Sequence, residues 1–221
     1  MKKTMRLIAV FLFAVICSAS SYAGDKEFKG IIVYNISYGD DLDESMAAMM
    51  PKTMKMYISG EKSRVEINTG FGNTVAIFNG STNEALVLMD MMGQKYAMKQ
   101  SSEEIEKEMA ENPETVVEIT GETKEIAGYT CKKASVEIKG MDAEHFVYFT
   151  DELGTGSFNK NNPLYSGIDG VMLEYVSEEK GMEMNFKAIS VEKKKVSDDM
   201  FEVPEGYNVV TEDQLQNMFG G

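Results

Sequence analysis

The chain has 221 residues, of which 43% are hydrophobic and 26% charged, values that are typical of globular proteins and exclude intrinsic disorder. Its formal net charge is −14, and residues 1–23 contribute three cations (Lys2, Lys3 and Arg6) but no acid. An acidic surface repels phosphate, so neither nucleic acid nor an anionic lipid head group is an expected partner. A single histidine and two cysteines exclude a His-rich metal centre and a disulfide framework, and we expect no metal and no cofactor.

The first 23 residues have the pattern of a signal peptide. Met1–Arg6 is cationic, Leu7–Cys17 is apolar, and Ser21-Tyr22-Ala23 places small residues where signal peptidase cleaves. The apolar run is shorter than the 20 or so residues that a spanning helix needs, and no later run is long enough. The pattern predicts cleavage after Ala23, export to the periplasm, and a mature chain of residues 24–221 that forms a single domain without a transmembrane segment.

A lipoprotein is the competing interpretation, in which Cys17 is acylated after cleavage before it. The residue that precedes an acylated cysteine is expected to be small, whereas Ile16 is large and branched. The sequence therefore favours ordinary cleavage.

Cys131 is the one cysteine that remains after such cleavage. An unpaired thiol in an oxidising compartment is either reactive or a small buried hydrophobe. The neighbouring Lys132 and Lys133 would lower its pKa only if the site were exposed. We favour the structural role.

Hydrophobic residues alternate with polar ones along most of the chain after residue 28, as in antiparallel strands with one buried face. Met54, Met56 and Ile58 show the pattern, and so do segments 64–67, 133–139 and 182–188, with glycine-containing turns between them. The continuous apolar runs Leu86–Met89 and Phe146–Phe149 predict strands that are covered on both faces, with helices as the expected cover.

Three segments have helix signals. Ser45–Met50 follows several acids and precedes Pro51, Ser101–Asn112 begins with a capping box, and Thr211–Phe219 begins with another. The loop Gly154–Gly167 has no periodicity and is either a lid or a long connection. Together these patterns predict an α+β fold dominated by β structure: one strongly curved antiparallel sheet with a few short helices on its concave face.

Methionine is unusually frequent, with 18 residues, twice the number of leucines. Three interpretations stay open. Flexible, polarisable methionines can line a cavity for varied apolar ligands, their thioethers can bind Cu(I), or they can replace leucine in a filled core. Copper has the weakest support, since only His145 and Cys131 could complete a methionine ligand set.

Catalytic motifs are weak throughout the sequence. His145 has no serine motif near it, and the neighbouring carboxylates Asp151 and Glu152 would point to opposite faces of a strand. The acids at 40–44 lack the spacing of a calcium loop and are better explained as a helix start. We therefore expect a protein that is not an enzyme, with no catalytic residue.

Three segments carry a family resemblance. The stretch Thr120–Ala134, the segment Phe149–Leu153 and the late stretch Met200–Tyr207 resemble domain of unknown function 4412, a family of exported bacterial envelope proteins. Gly60–Glu66 also fits its pattern of a strand pair with a basic turn. The resemblance implies a fold similar to the lipoprotein carriers LolA and LolB, an open half-barrel whose apolar concave face is lidded by helices. It transfers no catalytic residue.

The expected function is that of a periplasmic binding module that holds an acyl chain or another lipid-like apolar ligand between the sheet and its helices. The alternative is a structural or interaction protein of the envelope, with a methionine-filled core and an acidic face toward a protein partner. A minor alternative is Cu(I) binding by the methionine-rich segments. The candidate ligand-binding residues share an inward-facing strand or helix position: Met46, Met49, Met50, Met54, Met56, Ile58, Met182, Met184 and Phe186.

Overall fold

The structure is a computed structural model that describes residues 28–39, 44–69, 72–91, 93–112, 114–139, 144–155, 159, 162, 164–179, 182–211 and 214. The predicted signal peptide, Cys17 and the acids at 40–43 lie outside these residues. The predictions made for them therefore stay predictions.

Twelve strands and two α-helices make up the described chain. In chain order they are β1 (Lys29–Tyr38), α1 (Glu44–Ala47), β2 (Thr53–Ser59), β3 (Lys62–Thr69), β4 (Gly72–Asn79), β5 (Glu84–Met91), β6 (Gln94–Gln100), α2 (Ser102–Glu111), β7 (Thr115–Ile126), β8 (Tyr129–Ile138), β9 (Glu144–Thr150), β10 (Val171–Glu179), β11 (Met182–Lys193) and β12 (Asn208–Val210), with a 3₁₀ helix at Asp198–Phe201 before β12.

All twelve strands belong to one sheet, in the order β12-β6-β5-β4-β3-β2-β1-β11-β10-β9-β8-β7. Neighbouring strands are antiparallel except β12, which pairs in parallel with β6. The prediction of a β-dominated, antiparallel fold is therefore confirmed in its main features. Near the middle of the sheet, the first strand β1 pairs with β11, and the chain then continues to β12 at one edge.

The prediction of a strongly curved sheet was wrong, because the sheet is not strongly curled and its edge strands β12 and β7 stay apart. Strong curvature in a sheet depends on bulges and kinks repeated along it. Register shifts occur in β1, β7 and β10, whereas β2 to β6 pair in unbroken register. Half of the sheet therefore lacks the irregularities that curl it.

The three helix predictions have three different outcomes. α2 is confirmed: Ser101 is its N-cap, and Ser101 and Glu104 form the predicted capping box. α1 is a single turn at Glu44–Ala47, shorter than predicted. The third predicted helix lies almost entirely outside the described residues, although Thr211 and Gln214 exchange hydrogen bonds between side chain and backbone at its start.

One face of β4 to β6 is covered by the C-terminal segment, which includes the 3₁₀ helix Asp198–Phe201. Leu86 and Leu88 belong to a buried cluster with Val75, Ile77 and Ala97. Phe201, Val203 and Tyr207 pack on this cluster, and Nη1 of Arg64 donates a hydrogen bond to the Met200 carbonyl at 2.8 Å. The segment reaches this face after it crosses the sheet from β11. Its sequence has no hydrophobic periodicity that would predict the contact.

The other predicted two-sided strand, β9, is buried on one face only. Val147 and Phe149 lie in the core, while Phe146 is exposed and Tyr148 is half-buried. The ammonium groups of Lys133 and Lys124 lie 4.1 and 4.7 Å from the ring centroids of Phe146 and Tyr148. Cation–π contacts therefore take the place of a second packed layer.

Candidate functional site

A partly open cavity of about 430 Å³ lies between α2 and the sheet, on the face opposite the C-terminal segment. This face of the sheet is called the α2 face below. The cavity is lined by residues of six neighbouring strands, β1 to β6, of α2, of β10 and of the segment before β10: Tyr34, Met54, Met56, Ile58, Ser63, Val65, Ala76, Phe78, Ala85, Gln100, Ile105, Glu108, Asn159, Asn162, Val171, Met172 and Tyr175.

Three side chains of β2 form the first part of the cavity floor. Met54, Met56 and Ile58 point to the α2 face because side chains two residues apart share one face of a strand. Cross-strand pairing extends this row: Met56 is opposite Val65 of β3, which in turn is opposite Ala76 of β4. Ala76 is exposed. An apolar strand position beneath a helix has therefore been left open rather than filled by a large side chain.

Aromatic residues close the end of the cavity near β1 and β10. The Tyr34 and Tyr175 rings meet edge to face with centroids 6.0 Å apart, and Tyr175 stacks on Phe186 at 4.9 Å. The Tyr34 hydroxyl donates to the Met172 carbonyl at 2.8 Å. Burial raises the pKa of Tyr34 and of Tyr175 well above the ordinary tyrosine value. These phenols stay neutral at physiological pH, so this end of the cavity carries no charge.

The segment before β10, which the sequence left as either a lid or a connection, is anchored to the sheet. Nδ2 of Asn159, a buried side chain, donates to the carbonyls of Ile168 and Gly170, both at 2.8 Å. Tyr165 is fully buried, and its hydroxyl donates to the Val176 carbonyl. Burial also raises the pKa of Tyr165 to about 12. The described part of this segment therefore forms a fixed wall of the cavity.

Two of the polar side chains that line the cavity meet where α2 approaches β6. Nε2 of Gln100 donates to Oε1 of Glu108 at 3.0 Å. Glu108 lines the cavity but is exposed, which places it at the opening. Ile105, one turn earlier on α2, is buried against the cavity and fixes the side of the helix that faces the sheet.

The predicted ligand-binding residues divide into three groups. Met54, Met56 and Ile58 line the cavity. Phe186 is buried in the core cluster that also contains Met54 and Ile58, and Met184 packs against this cluster, but neither Phe186 nor Met184 lines the cavity. Met46 and Met49 are 54% and 53% exposed near α1, whereas Met50 and Met182 are half-buried. Among the described residues, the structure thus brings together at this cavity only the β2 members of the set.

Sequence reasoning missed most of the floor and, at the aromatic end, both tyrosines, although it included Phe186, on which Tyr175 stacks. Val65, Ala76 and Tyr175 belong to strands that alternate correctly, but alternation does not reveal which strands are neighbours. The signal that could have found Ile105 was present, since it is an apolar position on the capped helix α2.

The candidate catalytic groups lie apart from this cavity. Asp151 pairs with Lys132, Nζ to Oδ2 at 2.6 Å, and this hydrogen bond lowers the pKa of Asp151. Glu152 instead accepts the backbone N–H of Thr130 at 3.1 Å. His145 is half-buried on β9. Within the described residues, no group of three or more His, Cys, Asp or Glu side chains is placed to hold a metal ion.

Neither described helix combines the length and the apolar character that would be needed to cross a membrane.

The fold resembles two solved structures of PNGF-II. The structures in the P21 and C2 space groups match with TM-scores of 0.54 and 0.53, at 18% and 19% sequence identity, over 87% and 86% of this chain. These matches span only 33% and 32% of PNGF-II, and at such low identity they show a likeness of fold alone. The likeness to LolA and LolB stays a prediction.

No curated protein matches the chain at a significant level. The model of one family does match, and it covers residues 41–207, most of the described sheet. The chain therefore belongs to the family described as domain of unknown function, DUF4412.

Proposed function

We propose that the protein is a non-enzymatic binding module that holds an apolar ligand, such as an acyl chain, between the α2 face of the sheet and α2 itself. The observation that carries this is the partly open cavity of about 430 Å³ with a floor of methionine, valine and alanine side chains. Small-molecule sites are typically concave, mostly apolar and about 300–1,000 Å³ in volume. The role resembles the one implied by the carriers LolA and LolB and fits an exported protein.

The free energy expected for binding an acyl chain in this cavity corresponds to moderate affinity. Burial contributes about 0.8 kcal/mol per methylene, so a chain of roughly twelve methylenes gains about 10 kcal/mol. Immobilising the ligand costs about 4 kcal/mol or more. The remainder corresponds to a Kd of roughly tens of micromolar, which suits a carrier that must release its ligand.

Filling the floor of the cavity provides the first test. Ala76→Trp places an indole in the cavity and should weaken binding of the fluorescent apolar probe N-phenyl-1-naphthylamine at least about tenfold, since the volume is then occupied. Thr74→Trp is the matched control, because Thr74 is an exposed residue on the same face of β4 that does not line the cavity. Equal probe binding by both variants and the parent protein would rule out this cavity as the site.

Native mass spectrometry of the protein from its own compartment, followed by organic extraction, identifies the cargo. A stoichiometric adduct of a few hundred daltons that extracts as lipid, and that Ala76→Trp lacks, is the expected result. A bare mass for parent and variant alike would contradict carriage of a lipid.

A role in binding an envelope protein is the second candidate. It is favoured by Val116 and Ile119 on the edge strand β7, which are 63% and 58% exposed. Unpaired edge strands with apolar side chains can pair with a partner strand. If the protein captures an envelope protein and Ile119→Lys abolishes this capture, the result would support the role. Capture that Ile119→Lys leaves unchanged would rule out β7 as the binding edge.

A further inference from the structure

From the polar groups at the cavity opening we infer that the ligand is a single-chain amphiphile whose head group donates hydrogen bonds and carries no negative charge. This inference rests on the proposed function and adds the chemical class of the head group. It follows from the charges and hydrogen bonds of the residues that line the cavity.

The cavity opening carries a negative charge. Of the described residues that line the cavity, Glu108 is the one with a charged side chain, and the remaining polar members are Ser63, Gln100, Asn159 and Asn162. The helix that carries Glu108 also bears Glu103, Glu104, Glu106 and Glu111, against a single cation at Lys107. An anionic head group would have to lie beside Glu108 without a described lining cation to neutralise it, and like charges at close range are strongly unfavourable.

The hydrogen bond between Gln100 and Glu108 fixes which groups the opening offers to a ligand. An ionised carboxylate only accepts, so Gln100 must turn its amide nitrogen toward Oε1 of Glu108, as the 3.0 Å contact shows. The donor side of the amide is therefore directed at the carboxylate. This bond leaves the pair with two further acceptor oxygens, the Gln100 carbonyl and the second carboxylate oxygen of Glu108, against one remaining amide N–H. Such a pair recognises a donor, for example an ammonium, a hydroxyl or an amide N–H.

The loop side of the cavity adds no positive charge from its described residues. Nδ2 of Asn159 is engaged by the Ile168 and Gly170 carbonyls. Oδ1 of Asn162 accepts the backbone N–H groups of Leu164 and Tyr165 at 3.1 and 3.2 Å. These amides hold the wall in place, and both are neutral. Selection by charge therefore falls to Glu108.

Three probes with the same twelve-carbon chain test the head group: dodecylammonium, 1-dodecanol and dodecanoate, each below its micelle concentration. Their Kd values are measured by displacement of N-phenyl-1-naphthylamine from the native protein. We expect dodecylammonium to bind at least about tenfold more tightly than dodecanoate, with 1-dodecanol between them. Dodecanoate binding as tightly as dodecylammonium would overturn the inference about the head group. In that case the proposed function would stand.

Failure of N-phenyl-1-naphthylamine and of all three chains to bind has a different meaning. It would remove the proposed function, and the head-group inference would fall with it. Binding of 1-dodecanol therefore separates the two failures, since this probe depends on the apolar cavity and carries no charge.

A pair of variants distinguishes a local effect of Glu108 from the overall acidity of the protein. Glu108→Gln keeps an acceptor for Gln100 and should reduce the preference for dodecylammonium over dodecanoate about tenfold, with a smaller change for 1-dodecanol, which carries no charge. Glu111→Gln, also exposed on α2 but not lining the cavity, removes the same charge and should leave most of the preference. An equal loss in both variants would show that net charge alone sets the preference, and would overturn the site.

Discussion

Cys131 shows how one side chain acquires its chemistry from the fold. It is fully buried in the cluster that contains Tyr34 and Phe186. Burial, followed by the negative charges of nearby carboxylates, raises the pKa of its thiol from 9.0 to about 11. The adjacent Lys132 and Lys133 do not lower the pKa of the thiol, because their ammonium groups pair with the carboxylates of Asp151 and Glu122. The structural role that the sequence favoured for Cys131 agrees with this position.

A native protein without residues 1–23 should therefore react with 5,5′-dithiobis(2-nitrobenzoate) at about pH 8 at least about a hundredfold more slowly than the urea-unfolded chain, since a thiolate is the reacting species. The folded pKa is raised, so this thiol contributes stability that is fully present below pH 9.0 and is lost as the pH rises toward about 11. Urea unfolding of Cys131→Ala should show a smaller decline over that range. Rapid stoichiometric labelling of the native protein would contradict the buried position.

At the scale of the element, α2 is the part of the fold that encloses the cavity. Its start is held by two reciprocal hydrogen bonds: the Ser101 hydroxyl accepts the Glu104 backbone N–H at 3.3 Å, and the Glu104 carboxylate accepts the Ser101 backbone N–H at 2.7 Å. The second of these bonds is the main reason why the pKa of Glu104 is lowered. The contribution of Glu104 is therefore present above its ordinary pKa and is lost as the pH falls through the lowered value.

Removing this cap should loosen both the helix and the site. Ser101→Ala is expected to lower the free energy of unfolding by about 1 kcal/mol, and Ser101→Gly by only a few tenths, because glycine lets water replace the side-chain oxygen. Urea denaturation measures both values. N-phenyl-1-naphthylamine should also bind Ser101→Ala more weakly, since Ile105 and Glu108 depend on α2 being in place. Two variants as stable as the parent protein would show that packing alone positions the helix.

The acidity of the whole molecule has a consequence for its stability. A net charge of −14 makes the compact state repel itself, and salt screens this repulsion by shortening the Debye length from about 30 Å at 0.01 M to about 10 Å at 0.1 M. Salt also weakens exposed ion pairs such as Lys139–Glu114, but it weakens the partly buried Arg64–Glu66 pair, at 2.7 Å, much less.

Raising sodium chloride from about 0.01 to about 0.3 M should therefore raise the Tm by a few degrees, equivalent to roughly 1 kcal/mol in a chain of this size. Calorimetry or a thermal shift measures the change. Tetramethylammonium chloride is the control, because an equal effect identifies screening rather than specific sodium binding. A Tm that falls with salt would show that ion pairs dominate over net repulsion.

The sequence by itself determined the local structure. Alternation identified the strands around Met54 and Val136, and the capping box identified α2, because both signals depend on residues a few positions apart. The Ala127-Gly128 turn between β7 and β8 has φ of 50° and 84°, in the left-handed region that glycine adopts without strain.

Only the tertiary structure decided which strands became neighbours and therefore what lines the cavity. Ala76 and Tyr175 are far apart in sequence, and register is set by pairing and packing across the whole sheet. Alternation is also identical for a methionine that fills a core and one that lines a cavity. Met54 belongs to a buried core cluster against which Met56 and Met184 both pack. Of these three, Met54 and Met56 also line the cavity, because the segments that cover each strand come from distant parts of the sequence.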